Sequence, residues 1–416
     1  MFIRHETFSC SRRDFLRAGM YAVGVSAGLP AVFRQLSLAE TAKALDGAAE
    51  KHPNRILVVL ELSGGNDGLN TVVPIADDAY YKARPGLAIK KNQALKLNDE
   101  FGLHPSCEGL HKLFKDGQMA IVHGCGYPKP NLSHFTAMEW WHTAAPHGSD
   151  KYGWLGRFAD AHQPKAIENY IVNVAAQQSR AVASAQHAPV VFKDPKKFGR
   201  IGTDAQQKVF ETFGEVYPTT NQSLDFVNTV SKTATAGAAV VRNACSEYKT
   251  LIDYGSNNDL TLDLKKVAAM IAAKMPTRIY YVSQGGYDHH AAQAGAHQLL
   301  MIYLSDALHG FLTDLKRIGR ADDVAVMVFT EFGRRVQENA SKGTDHGTAT
   351  PMFVLGKKVK GGFHGKHPSL TDLDNGNLKM TTDFRSVYAT MIKEWMGYED
   401  TKTLLKGDFP TLGLFA

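Results

Sequence analysis

The 416-residue chain is poor in cysteine, in net charge and in long apolar runs, and each shortage excludes something. Its four cysteines, Cys10, Cys107, Cys125 and Cys245, form no Cys-x-x-Cys pair. With Cys10 set aside in the N-terminal segment, an odd number remains, which is poor material for a disulfide framework. Cys107 and Cys125 can pair in an oxidising compartment or serve as small buried hydrophobes. The formal net charge is +6, and residues 1–45 carry half of it. The remainder is too weakly basic to argue for nucleic acid as a partner. Hydrophobic residues at 44% and charged residues at 21% exclude both a disordered chain and a multi-span membrane protein. Gly and Pro show no excess, no solenoid-period repeat is present, and no Gly-x-Ser-x-Gly elbow marks a Ser-His-Asp hydrolase.

What is present begins with an address. Ser11-Arg12-Arg13-Asp14-Phe15-Leu16-Arg17 sets two adjacent arginines ahead of an apolar pair, and Ala18–Phe33 carries no charge. A charged n-region followed by a weakly apolar, Gly-rich stretch is a secretory design, too short for a comfortable membrane span. Arg12 and Arg13 before Phe15-Leu16 resemble the bacterial twin-arginine export signal. That resemblance implies the twin-arginine machinery as a partner, a periplasmic or secreted location, and no stable membrane span after processing.

Residues 1–45 therefore read as signal and linker, and 50–416 as a single α/β domain with a mostly helical insertion near 203–275. The apolar run Ile56–Leu62, closed by Ser63-Gly64-Gly65-Asn66-Asp67-Gly68, predicts a buried parallel strand with a tight turn at its C-terminal end. Further strands are expected at 119–123, 171–174, 189–192, 278–282, 323–329 and 351–355. Helices are expected at 106–115, 131–143, 291–318 and 382–396. Alternation of this kind predicts helices flanking a mostly parallel sheet.

Ligands of open α/β sheets bind beyond the carboxyl ends of the strands. Asp67, Asp288 and Glu331 follow three predicted strands, His290 follows Asp288 by two residues, and His346 precedes the strand at 351. Carboxylates mixed with imidazoles suit Zn²⁺ or Mn²⁺. Singly, each of these residues reads as a turn or surface group; together, at matching strand ends, they read as a metal set. In Asn131-Leu132-Ser133-His134-Phe135, Asn131 is the expected helix cap and Ser133 falls in the first turn, where a hydroxyl near a metal can act as a nucleophile. An ordinary helix-start serine has the same local sequence, and His134 reads equally as an assistant or as a structural histidine. Arg334 and Asn66 are candidate substrate-binding groups.

The ordered motifs Gly64–Gly68, Asn131–Phe135, Gly285-Gly286-Tyr287-Asp288-His289-His290, Thr330-Glu331-Phe332-Gly333-Arg334 and Thr344-Asp345-His346-Gly347 resemble the exported bacterial family called domain of unknown function 1501. That family in turn resembles the alkaline phosphatase and sulfatase superfamily. The resemblance implies a three-layer α/β/α, alkaline-phosphatase-like fold and a two-metal site. By motif, Asp67, Ser133 and Glu331 would form one metal site, and Asp288, His290 and His346 the other. Two departures stand out. Glu331-Phe332 replaces an Asp-His pair, which leaves an all-oxygen second site suited to Mg²⁺, Mn²⁺ or Ca²⁺. The spacing from Asp288 to His290 is short, and His289 competes for the role. No sulfatase Cys/Ser-x-Pro-x-Arg motif is present, which favours phosphate over sulfate chemistry. The expected function is an exported metal-dependent hydrolase of small-molecule or polymer phosphate (or sulfate) esters, with Ser133 as nucleophile. The alternative is a non-catalytic exported binding or surface-assembly protein that keeps the fold.

Export gives the first test. Replacing Arg12 and Arg13 together with Lys is expected to retain the protein in the cytoplasm, read by cell fractionation. Unchanged periplasmic recovery would count against the twin-arginine reading.

Overall fold

The computed structural model describes residues 52–198 and 237–415. The expected signal with Arg12 and Arg13, and residues 203–236 of the expected helical insertion, lie outside the described residues. The chain divides into two compact units: Gly47–Val190 with Tyr248–Ala416, and Met1–Asp46 with Val191–Glu247. In the second unit the described residues are 191–198 and 237–247, the latter helical. The central sheet segments named next all lie in the first unit.

Its main strands are β1 (Ile56–Leu62), β2 (Met119–Gly126), β3 (Ile171–Val174), β4 (Ile279–Gln284), β5 (Val324–Phe329), β6 (Thr350–Leu355) and β7 (Gly362–His364). They lie side by side in the order β7-β2-β6-β5-β1-β4-β3. β1 pairs in parallel with both β4 and β5, and β3 with β4. β6 alone runs antiparallel, between β2 and β5. The sheet is thus mixed but mostly parallel. Every residue of β1 and β5 is buried, which explains why both read as continuous apolar runs rather than as alternating patterns.

Helices cover both faces and make the expected three-layer α/β/α architecture. On one side α1 (Glu108–Lys115) and α4 (Asp259–Ala272) each pack on α5 (Gln293–Arg317). In α5, Met301, Leu304, Leu308, Phe311 and Leu315 are buried at helical spacing. On the other side α2 (His134–Thr143), α3 (Trp154–His162) and α6 (Phe384–Thr390) meet through stacked aromatics. Trp141 lies 4.1 Å from Phe384, and Trp154 4.1 Å from Tyr388, centroid to centroid. The expected closing helix over 382–396 is shorter: it starts after Asp383, whose carboxylate caps it, and widens to a π-turn over Met391–Trp395. Cys107 and Cys125 are buried thiols, not a disulfide. Among the described residues no helix is long and apolar enough to cross a membrane.

Small elements that the sequence pattern does not announce are the sheet formed by Val72–Val73, Leu95–Lys96 and Gly102–Leu103, and the hairpin of Leu373–Asp374 with Asn377–Leu378. Two-residue strands carry too little periodicity to be read from a pattern.

The core also buries histidines. His297, on α5, is fully enclosed, faces the Asn66 side-chain oxygen at 3.1 Å and meets the edge of His104. Burial pushes its pKa down to about 3, against the opposing pull of Asp67. The unfolded chain takes up that proton near pH 6.5, whereas the folded chain refuses it until about pH 3. Stability from this group is therefore complete above pH 6.5 and falls by about 1.4 kcal/mol per unit as the pH drops through that window. His297→Gln is expected to flatten the pH dependence of unfolding between pH 6 and 4, measured by denaturant titration.

Candidate metal centre

Strand direction brings the motif loops to one edge of the sheet. β1, β4 and β5 are parallel and in register near their ends, with Glu61 opposite both Ser283 and Phe329. The turns carrying Asp67, Asp288 and Glu331 therefore leave the sheet together. β6 runs the other way, so the segment before it, with His346, arrives at that same edge. A short bridge between Arg334 and His346 fixes its position.

His134, Asp288 and His346 form the group able to hold a metal among the described residues, with ligand atoms within 4.8 Å of one another. Three imidazole Nε2 atoms converge on the Asp288 carboxylate. His290 and His346 lie 3.0 and 3.2 Å from Oδ1, and His134 lies 3.4 Å from Oδ2. Ligand atoms around a tetrahedral zinc, each about 2.0–2.1 Å from the ion, are themselves roughly 3.3–3.4 Å apart.

The Nδ1 atoms set the chemistry of those Nε2 atoms. His346 Nδ1 lies 2.7 Å from the Leu132 carbonyl, which can only accept, so Nδ1 carries the hydrogen and the neutral ring keeps its lone pair on Nε2. His134 Nδ1 lies 2.7 Å from Glu331 Oε1, and His290 Nδ1 faces Asp345 Oδ1 at 3.4 Å. A histidine whose far nitrogen is held by a carboxylate or carbonyl is oriented for metal ligation. Two further observations fit a cation. His134 Nε2 is buried without a hydrogen-bond partner, and His290 and His346 bring their Nε2 atoms to 2.9 Å, where two lone pairs repel unless a proton or cation lies between them.

Asp288 is kept ionised. Partial burial would raise its pKa, but the Arg334 hydrogen bond and charge hold it well below the usual carboxylate range. His134 shifts upward, first through its hydrogen bond to Glu331.

The other sequence candidates stand elsewhere. Asp67 is not in the metal-capable group: it is buried, caps the short helix Gly68–Thr71, and is held by Arg84 Nη1 at 2.6 Å and Gln293 Nε2 at 2.5 Å. Burial alone would raise its pKa; the Arg84 charge and hydrogen bonds reverse the sign. Glu331 is not in the group either. Its carboxylate accepts from the Gly64 N–H and the Thr330 hydroxyl as well as meeting His134. In place of the all-oxygen second site expected from Asp67, Glu331 and Ser133, the described residues bring together one mixed set, His134, Asp288 and His346, with Glu331 holding His134. Arg334 is not a substrate clamp. It is 2% exposed, and its donors go to the carbonyls of Gly64, Gly65, Tyr287 and Thr344 and to Asp288. Asn66 is likewise buried, bonded to Thr71 and His297. Ser133, not Asn131, is the residue at the cap of α2, yet its hydroxyl makes no capping bond. Asn131 instead accepts the Ser133 N–H at 2.8 Å. Ser133 is exposed, next to His134.

A family model described as protein of unknown function (DUF1501) matches residues 54–406, and the chain belongs to that family. No curated protein matches. Among solved structures, the lipoteichoic acid synthase LtaP from Listeria monocytogenes is 10% identical with a TM-score of 0.40, covering 86% of this chain and 75% of that one. The PsFucS1 sulfatase from Pseudoalteromonas sp. is 10% identical with a TM-score of 0.36, over 86% and 73%. A mutant of the alkaline phosphatase PafA is 10% identical with a TM-score of 0.33, over 69% and 64%. At these scores the fold rests on its own strand order.

The role of Glu331 separates the observed arrangement from the one implied by motif. Glu331→Gln weakens the hydrogen bond that orients His134 and is expected to lower zinc affinity about 10–100-fold. Asp67→Asn is expected to leave zinc affinity within about twofold, since Asp67 binds Arg84. Competition with a chromogenic chelator reads both. Equal losses in the two variants would restore Asp67 as a ligand.

Proposed function

We propose that this chain is an exported metal-dependent hydrolase of phosphate esters, with one divalent cation held by His134, His346 and Asp288 and approached by His290. The observation that carries the reading is the convergence of three Nε2 atoms on one ionised carboxylate, with every Nδ1 turned toward an acceptor. A set of imidazoles with one carboxylate suits Zn²⁺ or Mn²⁺ better than Mg²⁺ or Ca²⁺. When bound, such an ion supplies Lewis acidity toward an ester oxygen.

The residues themselves do the rest. Ser133 presents a hydroxyl that makes no capping bond at the start of α2. The first N–H groups of that ten-residue helix and its dipole favour an anionic phosphoryl group there. In the reaction the serine oxygen bonds to phosphorus as the bond to the leaving alcohol breaks, and the hydroxyl proton ends on that alcohol. Water then cleaves the phosphoserine and restores Ser133. Glu331 and the Leu132 carbonyl hold the two rings in place throughout.

The second reading, a non-catalytic exported protein on the same fold, draws support from Asp67. Its pairing with Arg84 removes a carboxylate that a two-ion clamp would use.

Ser133→Ala is expected to lower kcat on phosphate monoesters by several orders of magnitude while zinc binding survives. Because no capping bond is lost, stability should change by less than about 1 kcal/mol. Assays with and without added Zn²⁺ or Mn²⁺ decide. Full activity in the variant would remove Ser133 as nucleophile, and a zinc-loaded wild type inert toward phosphate and sulfate esters would favour the non-catalytic reading.

A further inference from the structure

The centre lies open at the surface. The side chains of Asp288 and His290 are 45% and 47% exposed, and that of His346 is 22% exposed. A phosphoryl group held there would leave its alcohol portion outside the protein, over the residues that rim the centre.

Phe135 stands on that rim. It follows His134 in the first turn of α2 and is 91% exposed. His134 turns inward, with Nδ1 on Glu331 and Nε2 toward Asp288. Successive helical residues are about 3.8 Å apart at Cα and turned by about 100°, so the phenyl ring lies within roughly 10 Å of His134 Nε2.

An isolated exposed apolar side chain is ordinary on a protein surface. The fold, however, gives no reason for a phenyl at this one. A first helical turn favours acidic and capping residues, and phenylalanine has only middling helix propensity. The aromatic contacts of α2 run through His134, Trp140, Trp141 and His142. Its partly buried apolar residues on the core are Met138 and Trp140.

We infer that Phe135 contacts the substrate and selects esters whose alcohol portion is apolar. The inference rests on the reading of the centre as a phosphate-ester site. Phe135 is flanked by the exposed Ser133 and the half-buried Thr136. One phenyl among polar neighbours offers far less apolar area than the roughly 800 Å² per partner of a stable protein interface. It matches a single ring or short alkyl chain instead. The first turn of α2 also carries no acidic residue that would repel the phosphoryl group.

The test titrates the zinc-loaded full chain with benzylphosphonate and with methylphosphonate by calorimetry, since the carbon–phosphorus bond of each resists hydrolysis. Benzylphosphonate is expected to bind about fivefold or more tightly, the worth of one aromatic contact. The ratio should fall to about one in Phe135→Ser and largely survive in Phe135→Leu. Because the ring is exposed, both variants should unfold at the wild-type temperature. Equal affinities in the wild type, binding of neither phosphonate, or an unchanged ratio in Phe135→Ser overturns the inference. Self-association or binding to phospholipid vesicles that Phe135→Ser abolishes while leaving the ratio unchanged would overturn it in favour of a macromolecular surface.

A kinetic arm separates it from the hydrolase reading. Benzyl and methyl phosphate release alcohols of similar acidity, so a difference in kcat/KM between them reports contact with the apolar group. Benzyl phosphate should be preferred, and the preference should be lost in Phe135→Ser. A phosphonate preference that depends on Phe135, with no turnover of either ester, leaves the assignment of Phe135 standing and overturns hydrolysis. Turnover of both esters at equal kcat/KM, with equal phosphonate affinities, does the reverse.

Discussion

The guanidinium of Arg334 is the point on which the site's geometry depends. It lies inside the protein, and a buried cation is tolerated only where its donors are met. Here they are met by three loops at once: Gly64 and Gly65 after β1, Tyr287 and Asp288 after β4, and Thr344 before β6. The two glycines are required by that close approach. Gly64 has φ 114°, and a Cβ there would come within 2.7 Å of the Asp288 amide nitrogen; one on Gly65 would come within 2.6 Å of the Phe332 ring. Without a side chain at either position, their carbonyls can turn onto the arginine. The loop after β4 is thereby pinned with Asp288 facing outward to the histidines.

Arg84 does for the layer beneath what Arg334 does for the loops. Its Nε and Nη2 bond the carbonyls of Val336 and Arg335, and its Nη1 bonds Asp67 and Asn70. Removing either charged partner would leave the other buried and uncompensated, which is the costly direction for such pairs. The consequence reaches function. A carboxylate already satisfied by a guanidinium and by Gln293 has no reason to recruit a cation, so the turn after β1 serves as a foundation and not as a ligand.

The sheet was largely legible because buried parallel strands are written as apolar runs, and β1, β4 and β5 fall where those runs lie. Asp288, His290 and His346 were legible for the same reason, since strand ends point at the ligand edge. The rest turned on facts that a single sequence does not carry. Nothing in Thr330-Glu331-Phe332 says whether the carboxylate meets a metal or an imidazole 197 residues away. Arg84 directly follows the short helix Asp78–Ala83, and its partnership with Asp67 exists only in three dimensions. The candidate not singled out, His134, sits beside the residue singled out as nucleophile. Its one signal was adjacency to a helix start, which a structural histidine shares. The cap was misplaced because Asn131 and Ser133 are both good cap residues; Asn131 uses its side chain on the Ser133 N–H before the helix begins.

The same constraints set the charge of the centre. Asp288 is its one carboxylate among the converging groups, and Arg334 already shares Oδ1 at 2.7 Å. The imidazoles contribute lone pairs but no charge when neutral, and Glu331 is kept one bond removed, behind His134. A carboxylate set of the kind expected from Asp67 and Glu331 would have neutralised a divalent ion almost completely. This set would do so weakly, and it would keep the Glu331 carboxylate where it raises the basicity of an imidazole instead of cancelling an ion. Replacing direct carboxylate contacts by oriented imidazoles thus favours Lewis acidity over mere retention of an ion. The price is a dependence of the whole centre on the hydrogen bonds at the three Nδ1 atoms, which is why its integrity traces back to the loops that Arg334 ties together.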